Sequence, residues 1–240
     1  IYERLITGPK KWVHSHQKRM AVNQSDLIIC ISENTAIDLI DYFKTDESKI
    51  RVIHCGVSEK FFPIDTIASY TNRVLFVGSR AGYKNFSHAV KAVASNSELE
   101  LVIIGGGALK RHELTMLDCY LPNRYRCVGT LTEEELNLEY NRAFCLFYPS
   151  SYEGFGVPVI EAMRAGCPVV AVNSSSIPEF AGNSGILVDF PDVDLFSEAL
   201  SALDVGEERD KQIKEGFSQA LNFSWQKCYK KTLSVYQELY

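Results

Sequence analysis

Pro149-Ser-Ser-Tyr-Glu-Gly-Phe-Gly-Val-Pro-Val-Ile-Glu-Ala-Met-Arg-Ala-Gly-Cys-Pro-Val-Val-Ala171 is the stretch on which the reading of the fold turns. The apolar run Ala143-Phe-Cys-Leu-Phe-Tyr148 before it reads as a buried strand, and Pro168 to Val172 at its far end reads as the next. Between them a Gly-Phe-Gly turn leads to Pro158, whose fixed φ suits a first helical turn. The result is a strand, loop, helix, strand unit with an acid at each end of its middle part. Glu153 lies in the loop before the glycines, and Glu161 lies about a turn into a helix whose Val157, Val159, Ile160, Ala162, Met163 and Ala165 are apolar.

A helix N-terminus offers unpaired N–H groups and a positive dipole end, which together make a place for a phosphate. Glycines at 154 and 156 let backbone approach a ligand where a side chain would collide. A carboxylate can accept from two neighbouring hydroxyls, the pattern a ribose or hexose presents. A diphosphate joined to sugar hydroxyls is therefore the natural ligand. Taken singly, the glycines make an ordinary turn and Glu161 is a solvated helix residue. Taken as one string, Glu153-Gly-Phe-Gly-Val-Pro-Val-Ile-Glu161 resembles the donor-binding segment of family 4 retaining glycosyltransferases, whose signature is two glutamates separated by seven residues with Gly-Phe-Gly after the first.

That resemblance implies an α/β chain of GT-B type: a doubly wound, parallel-sheet, Rossmann-like C-terminal domain and part of a Rossmann-like N-terminal domain. It implies that Glu153 contacts the donor hexose near its diphosphate end and Glu161 the ribose hydroxyls. Gly154, Phe155 and Gly156, with Val157 beside them, would offer backbone to phosphate or sugar. Anomeric configuration would be retained by attack on the face from which the diphosphate departs. The donor would be GDP-mannose or a UDP-hexose, with no cofactor and no metal.

Composition excludes other classes. The chain has 240 residues, enough for one sizeable core or a domain and a half, and its 46% hydrophobic and 23% charged residues are those of an ordinary globular protein. A net charge of −5 argues against nucleic acid as a partner. Seven cysteines form no Cys-x-x-Cys pair, several falling in apolar runs, so a reducing, cytoplasmic setting is expected. No apolar run in this sequence approaches the roughly 20 residues of a membrane span, and no signal peptide is expected. Ile1 rather than Met opens the chain, and no strand with a glycine-rich turn precedes the first helix, so a fragment is expected.

Lys10 to Asn23 reads as a helix, with Trp12 among Lys10, Lys11, Lys18 and Arg19. Such a face suits an anionic membrane surface, peripheral at its inner side, although a plain solvated face is the simpler reading. His14 and His16, two apart, point to different sides and make no metal pair. Asp26 to Ile31 reads as a buried strand, Ser32 as the cap of a helix through Phe43, and Lys49 to His54 as a second strand before Cys55-Gly56-Val57. By resemblance, residues 1–57 are the end of the acceptor domain and 58–71 an interdomain linker. Residues 72–224 would be the donor domain, and 225–240 a helix crossing back to the first. From Asn72 strands and helices alternate to near the chain's end, which predicts a parallel sheet covered on both faces, with ligands at its carboxyl edge.

Val77-Gly-Ser-Arg-Ala-Gly-Tyr-Lys-Asn85 follows the first strand of that domain. Arg80, as a fork, and Lys84, as a point charge, are expected to hold the diphosphate beside Gly78 and stabilise its departure. The turn resembles the family's, although Ser79 separates Gly78 from Arg80 and Asn85 stands where the family has glycine. Ile103-Ile-Gly-Gly-Gly-Ala108 is no dinucleotide fingerprint, since position 110 is Lys. In the family this turn lies beside the nucleotide, with Gly105 and Gly106 passing close, and the backbone at Cys127 and Val128 meets the base. Thr132 and Glu135 form a capping box, and Asp192-Val193-Asp194 reads as a helix cap rather than a metal site.

The resulting expectation is a hexosyltransferase acting on a glycan or lipid-linked acceptor in surface polysaccharide assembly. Two rivals stand beside it. One is a donor-binding module that cannot turn over alone, because the family's acceptor site and a histidine beside the reacting sugar belong to the first domain. The other is a GT-B sugar-nucleotide epimerase, which the glutamate motif fits less well.

Overall fold

The computed structural model describes residues 9–65, 70–203 and 206–240, with side chains described from residue 13 and, in the last segment, from 207. The chain divides into a smaller unit, residues up to 56 together with 225–240, and a larger unit, residues 57–224.

The larger unit is built on six parallel strands: β3 Arg73–Val77, β4 Glu100–Ile104, β5 Tyr125–Val128, β6 Cys145–Tyr148, β7 Val169–Val172 and β8 Ile186–Val188. Their order is β5-β4-β3-β6-β7-β8, so the chain winds outward from β3 to one edge, returns, and winds outward from β6 to the other. Such a reversal leaves a crevice at the carboxyl ends of β3 and β6. Val74, Leu75, Leu101, Ile103 and every residue of β6 and β7 are buried, as a parallel sheet with helices on both faces requires. The helices are α3 Phe86–Ala94, α4 Arg111–Tyr120, α5 Glu133–Arg142, α6 Val157–Arg164, α7 Ile177–Ala181, α8 Val193–Ala202 and α9 Gly206–Ala220. Phe147 sets the packing on one face, meeting Phe196 of α8 edge-on at 4.7 Å between ring centres.

The smaller unit holds α1 Pro9–Gln24, β1 Ile28–Cys30, α2 Glu33–Phe43, β2 Ile50–Val52 and α10 Trp225–Gln237. β1 and β2 pair in parallel over three residues. The strand expected at 26–31 is therefore shorter, and it is not buried: only Cys30 is covered, whereas Ile29 and Ile31 are each 39% exposed. Arg51 and Glu238 form an ion pair at 2.6 Å in this unit.

Local signals behaved as their chemistry dictates. The Ser32 hydroxyl accepts from the Thr35 N–H, Thr132 and Glu135 form the capping box, and Asp192 accepts from the Asp194 and Leu195 N–H groups. Two elements differ. The helix after the glycine turn begins only at Arg111, because Lys110 is extended, with ψ of 156°. The short α7, with Pro178 in its first turn, was not foreseen. Of the expected linker, residues 66–69 lie outside the described residues, as does the side chain of Trp12. Residues 57–65 lack regular structure but are packed onto the larger unit. The Asn137 and Asn141 side chains accept the Phe62 and Ile64 N–H groups, and Phe61 packs on Tyr140.

Candidate functional site

The crevice is walled by two loops, Gly78–Asn85 after β3 and residues 149–156 after β6, and the Gly105–Gly107 turn after β4 lies at the same edge. Gly156 caps α6 with a φ of 103°, and a Cβ there would come within 2.8 Å of the Ile177 side chain. No other residue fits both the backbone and the space, so the start of α6 depends on glycine. Pro158 occupies the first turn as expected.

Lys84 spans the crevice. Its ammonium, on a residue only 8% exposed, lies 2.5 Å from Glu153 Oε1 and donates to the Tyr148 hydroxyl at 2.9 Å. Its Nζ also lies 4.6 Å from the centre of the Tyr148 ring. Burial, then the neighbouring Glu153 charge, pushes the Tyr148 hydroxyl far up, so it stays protonated. Lys84 and Glu153, 69 positions apart, are thus one polar unit, and Tyr148, which sequence reading passed over as a strand residue, completes it.

The loop bearing Glu153 is held from β7. The Ser175 hydroxyl accepts the Glu153 N–H at 2.8 Å, and the Ser176 hydroxyl lies 2.9 Å from both the Glu153 and Phe155 carbonyls, to which it donates. Ser174 donates to the Ser151 carbonyl, and Asn85, at a φ of 50°, donates to the Pro149 carbonyl. Asn173-Ser-Ser-Ser176 directly after an apolar strand was the available signal for these supports. The Phe155 ring is buried against Phe180, at 4.1 Å between centres, so only the backbone of that residue faces the crevice edge.

Glu161 accepts a hydrogen bond from the Tyr140 hydroxyl of α5 at 3.2 Å. Burial pushes its carboxyl up to about 7, the Tyr140 bond pulls it back in part, and Glu133 adds to the rise. Tyr140 is fully buried and was not foreseen as a partner.

Arg80 is placed differently from the diphosphate fork expected of it. Its guanidinium donates to the carbonyls of Gly105, Gly107 and Ala108 at 3.2, 3.0 and 2.8 Å, and its Nε lies 3.1 Å from Glu113 Oε1. Gly78 donates its N–H to the Ile104 carbonyl. The Val128 carbonyl accepts from the Gly105 N–H, and Cys127, on the edge strand β5, is exposed. Among the described residues no group of three or more His, Cys, Asp or Glu side chains is arranged to hold a metal, and no helix is long and apolar enough to cross a membrane.

A six-stranded doubly wound parallel sheet with a basic residue, two acids and a glycine-capped helix at its reversal point is an α/β fold of GT-B type. Residues 57–219 match the family model for glycosyl transferases group 1, and residues 3–61 match that for glycosyltransferase family 4. The chain belongs to the group 1 glycosyl transferases. It is 40% identical over 115 residues to O-antigen chain mannosyltransferase B of Escherichia coli, covering 48% of this chain and 30% of the relative. It is 28% identical over 234 residues to the MMP alpha-(1->4)-mannosyltransferase of Mycolicibacterium hassiacum, covering 92% of this chain and 56% of that one. The structure of Anabaena Alr3699/HepE, solved with UDP and glucose, superposes with a TM-score of 0.82 at 17% identity, covering 93% of this chain and 67% of that one. The chain, aligned over 92% of its length, thus spans just over half the length of the second of these relatives.

Proposed function

We propose that this chain carries the donor site of a retaining hexosyltransferase that moves mannose from GDP-mannose to a glycan or lipid-linked acceptor in surface polysaccharide assembly. The carrying observation is the Lys84–Glu153 pair set against the glycine-capped start of α6, with Glu161 one turn further along the same helix. In this reading the α6 N-terminus and the Lys84 ammonium neutralise the diphosphate as it departs, so charge develops against groups already in place. Glu153, released from Lys84 when phosphate takes its place, accepts from hydroxyls of the transferred hexose, and Glu161 accepts from the ribose hydroxyls. Mannose is preferred because the two curated relatives named above are mannosyltransferases. A second reading, a donor-binding module without turnover of its own, rests on the chain's partial share of its relatives' length.

Calorimetric titration of the chain with GDP, UDP, GDP-mannose, UDP-glucose and UDP-N-acetylglucosamine, with and without magnesium, tests both readings. GDP and GDP-mannose are expected to bind in either condition, and Glu161→Ala to weaken them. A Glu161→Ala chain that binds the donor undiminished would overturn the assigned roles. Preference for a uridine nucleotide would overturn the mannosyl donor.

A further inference from the structure

Arg80 and Lys84 leave the same turn in opposite directions. Lys84 goes to Tyr148 and Glu153 across the crevice, whereas Arg80 goes back to the turn after β4. The Arg80 and Glu113 side chains are 4% and 5% exposed, among the most enclosed charges of the larger unit. Three N–H groups of the guanidinium are given to carbonyls of residues 105–108, and its Nε lies 3.1 Å from the Glu113 carboxylate as an ion pair without an aligned hydrogen bond. Turning the fork toward a diphosphate would leave the enclosed Glu113 charge without its partner.

Glu113 is held as firmly. It accepts the Lys110 N–H at 2.7 Å at the start of α4. Burial raises its carboxyl, but the Lys110 N–H and Arg80 together bring it below the usual range. The turn being held is an unusual one. Gly105, Gly106 and Gly107 have φ of 74°, 73° and 75°, a run that gains little from local preference. A Cβ on Gly106 would lie 2.6 Å from both Arg80 Nη1 and the Gly78 carbonyl, so the turn is pressed against the arginine on that side. On the other side it is open, since a Cβ on Gly105 or Gly107 would meet nothing within 4 Å.

We propose that Arg80, braced by Glu113, is a positioning residue that fixes the Gly105–Gly107 turn as a wall of the nucleoside pocket, leaving Lys84 as the cation for the diphosphate. This rests on the donor-site reading above. Its consequence is a division of labour within one turn: Arg80 acts on the nucleoside end through backbone, and Lys84 acts on the phosphates by charge.

The test compares the monophosphate and diphosphate of the base that the unmodified chain binds, by calorimetry, in Arg80→Lys, Arg80→Met, Glu113→Gln and Lys84→Met. The first three are expected to weaken both nucleotides by the same factor, about tenfold, so that their ratio stays put. Lys84→Met is expected to weaken the diphosphate selectively. The double change Arg80→Met with Glu113→Gln should be no worse than the more severe single one. Amide exchange at Gly105, whose N–H is given to the Val128 and Gly129 carbonyls, should accelerate without nucleotide in Arg80→Lys, because an ammonium cannot bridge three carbonyls. A selective loss of diphosphate binding in Arg80→Met that Arg80→Lys restores would overturn the proposal, and so would unchanged exchange at the turn. The exchange measurement needs no ligand, so it separates failure of the clamp from failure of the donor-site reading. The latter would show as an unmodified chain that binds no nucleotide.

Discussion

The two parallel sheets of this chain obey one rule to different degrees. In the six-stranded sheet β6 and β7 are covered on both faces along their whole length, whereas β1 and β2 show burial at one residue of six. A parallel strand is near-continuously apolar because both its faces expect cover. Asp26-Leu-Ile-Ile-Cys-Ile31 has that composition without that cover, and Ile29 and Ile31 remain partly in water. Composition therefore reports the environment a strand is suited to, and packing decides whether it receives it. The candidate site residues all belong to the larger unit.

The contrast is broken or sharpened most strongly at Phe147. Truncation of this buried ring to Ala, with the loss of its edge contact to Phe196, should cost about 3–5 kcal/mol in urea unfolding of the larger unit. A cost below about 1 kcal/mol would show that the six-stranded sheet is no better packed than the small one.

A smaller effect tests the electrostatic side of the same packing. Glu161, pushed from 4.5 up to about 7, binds its proton more tightly folded than unfolded. Its protonation therefore supports the fold fully below about pH 4.5, and that support is lost as pH rises through about 7. Glu161→Gln keeps an acceptor for Tyr140 without the charge. It should be neutral at low pH and stabilise by up to about 3 kcal/mol at high pH, seen in urea midpoints across the range. A gain independent of pH would mean that the carboxylate is solvated, like the exposed acids of the smaller unit.

The smallest effect is expected at Ile29. Because that side chain is already 39% exposed, Ile29→Ala should cost about 1 kcal/mol or less, and amides of β1 should exchange faster than those of β6. Equal protection of the two strands would erase the difference.

Much of this architecture is legible in the residues because it is local. Caps at Ser32, Thr132 and Asp192, the turn through Gly156 into Pro158, and the alternation of apolar runs with helical ones all depend on neighbours within a few positions. The spacing of Glu153 and Glu161 belongs to this class, since a loop followed by one helical turn sets it. What tertiary structure alone decided is which partners these groups meet. Arg80 and Lys84 look alike as two cations in one turn, yet one pairs with Glu113 and the other with Glu153. Tyr140 reaches Glu161, and three serines after β7 hold the loop after β6. Those contacts join residues about 20 to 70 positions apart, and strand order brings them together: β4 lies on one side of β3, and β6 on the other with β7 beyond it. No local period encodes that order, because it follows from how the sheet as a whole buries its two faces.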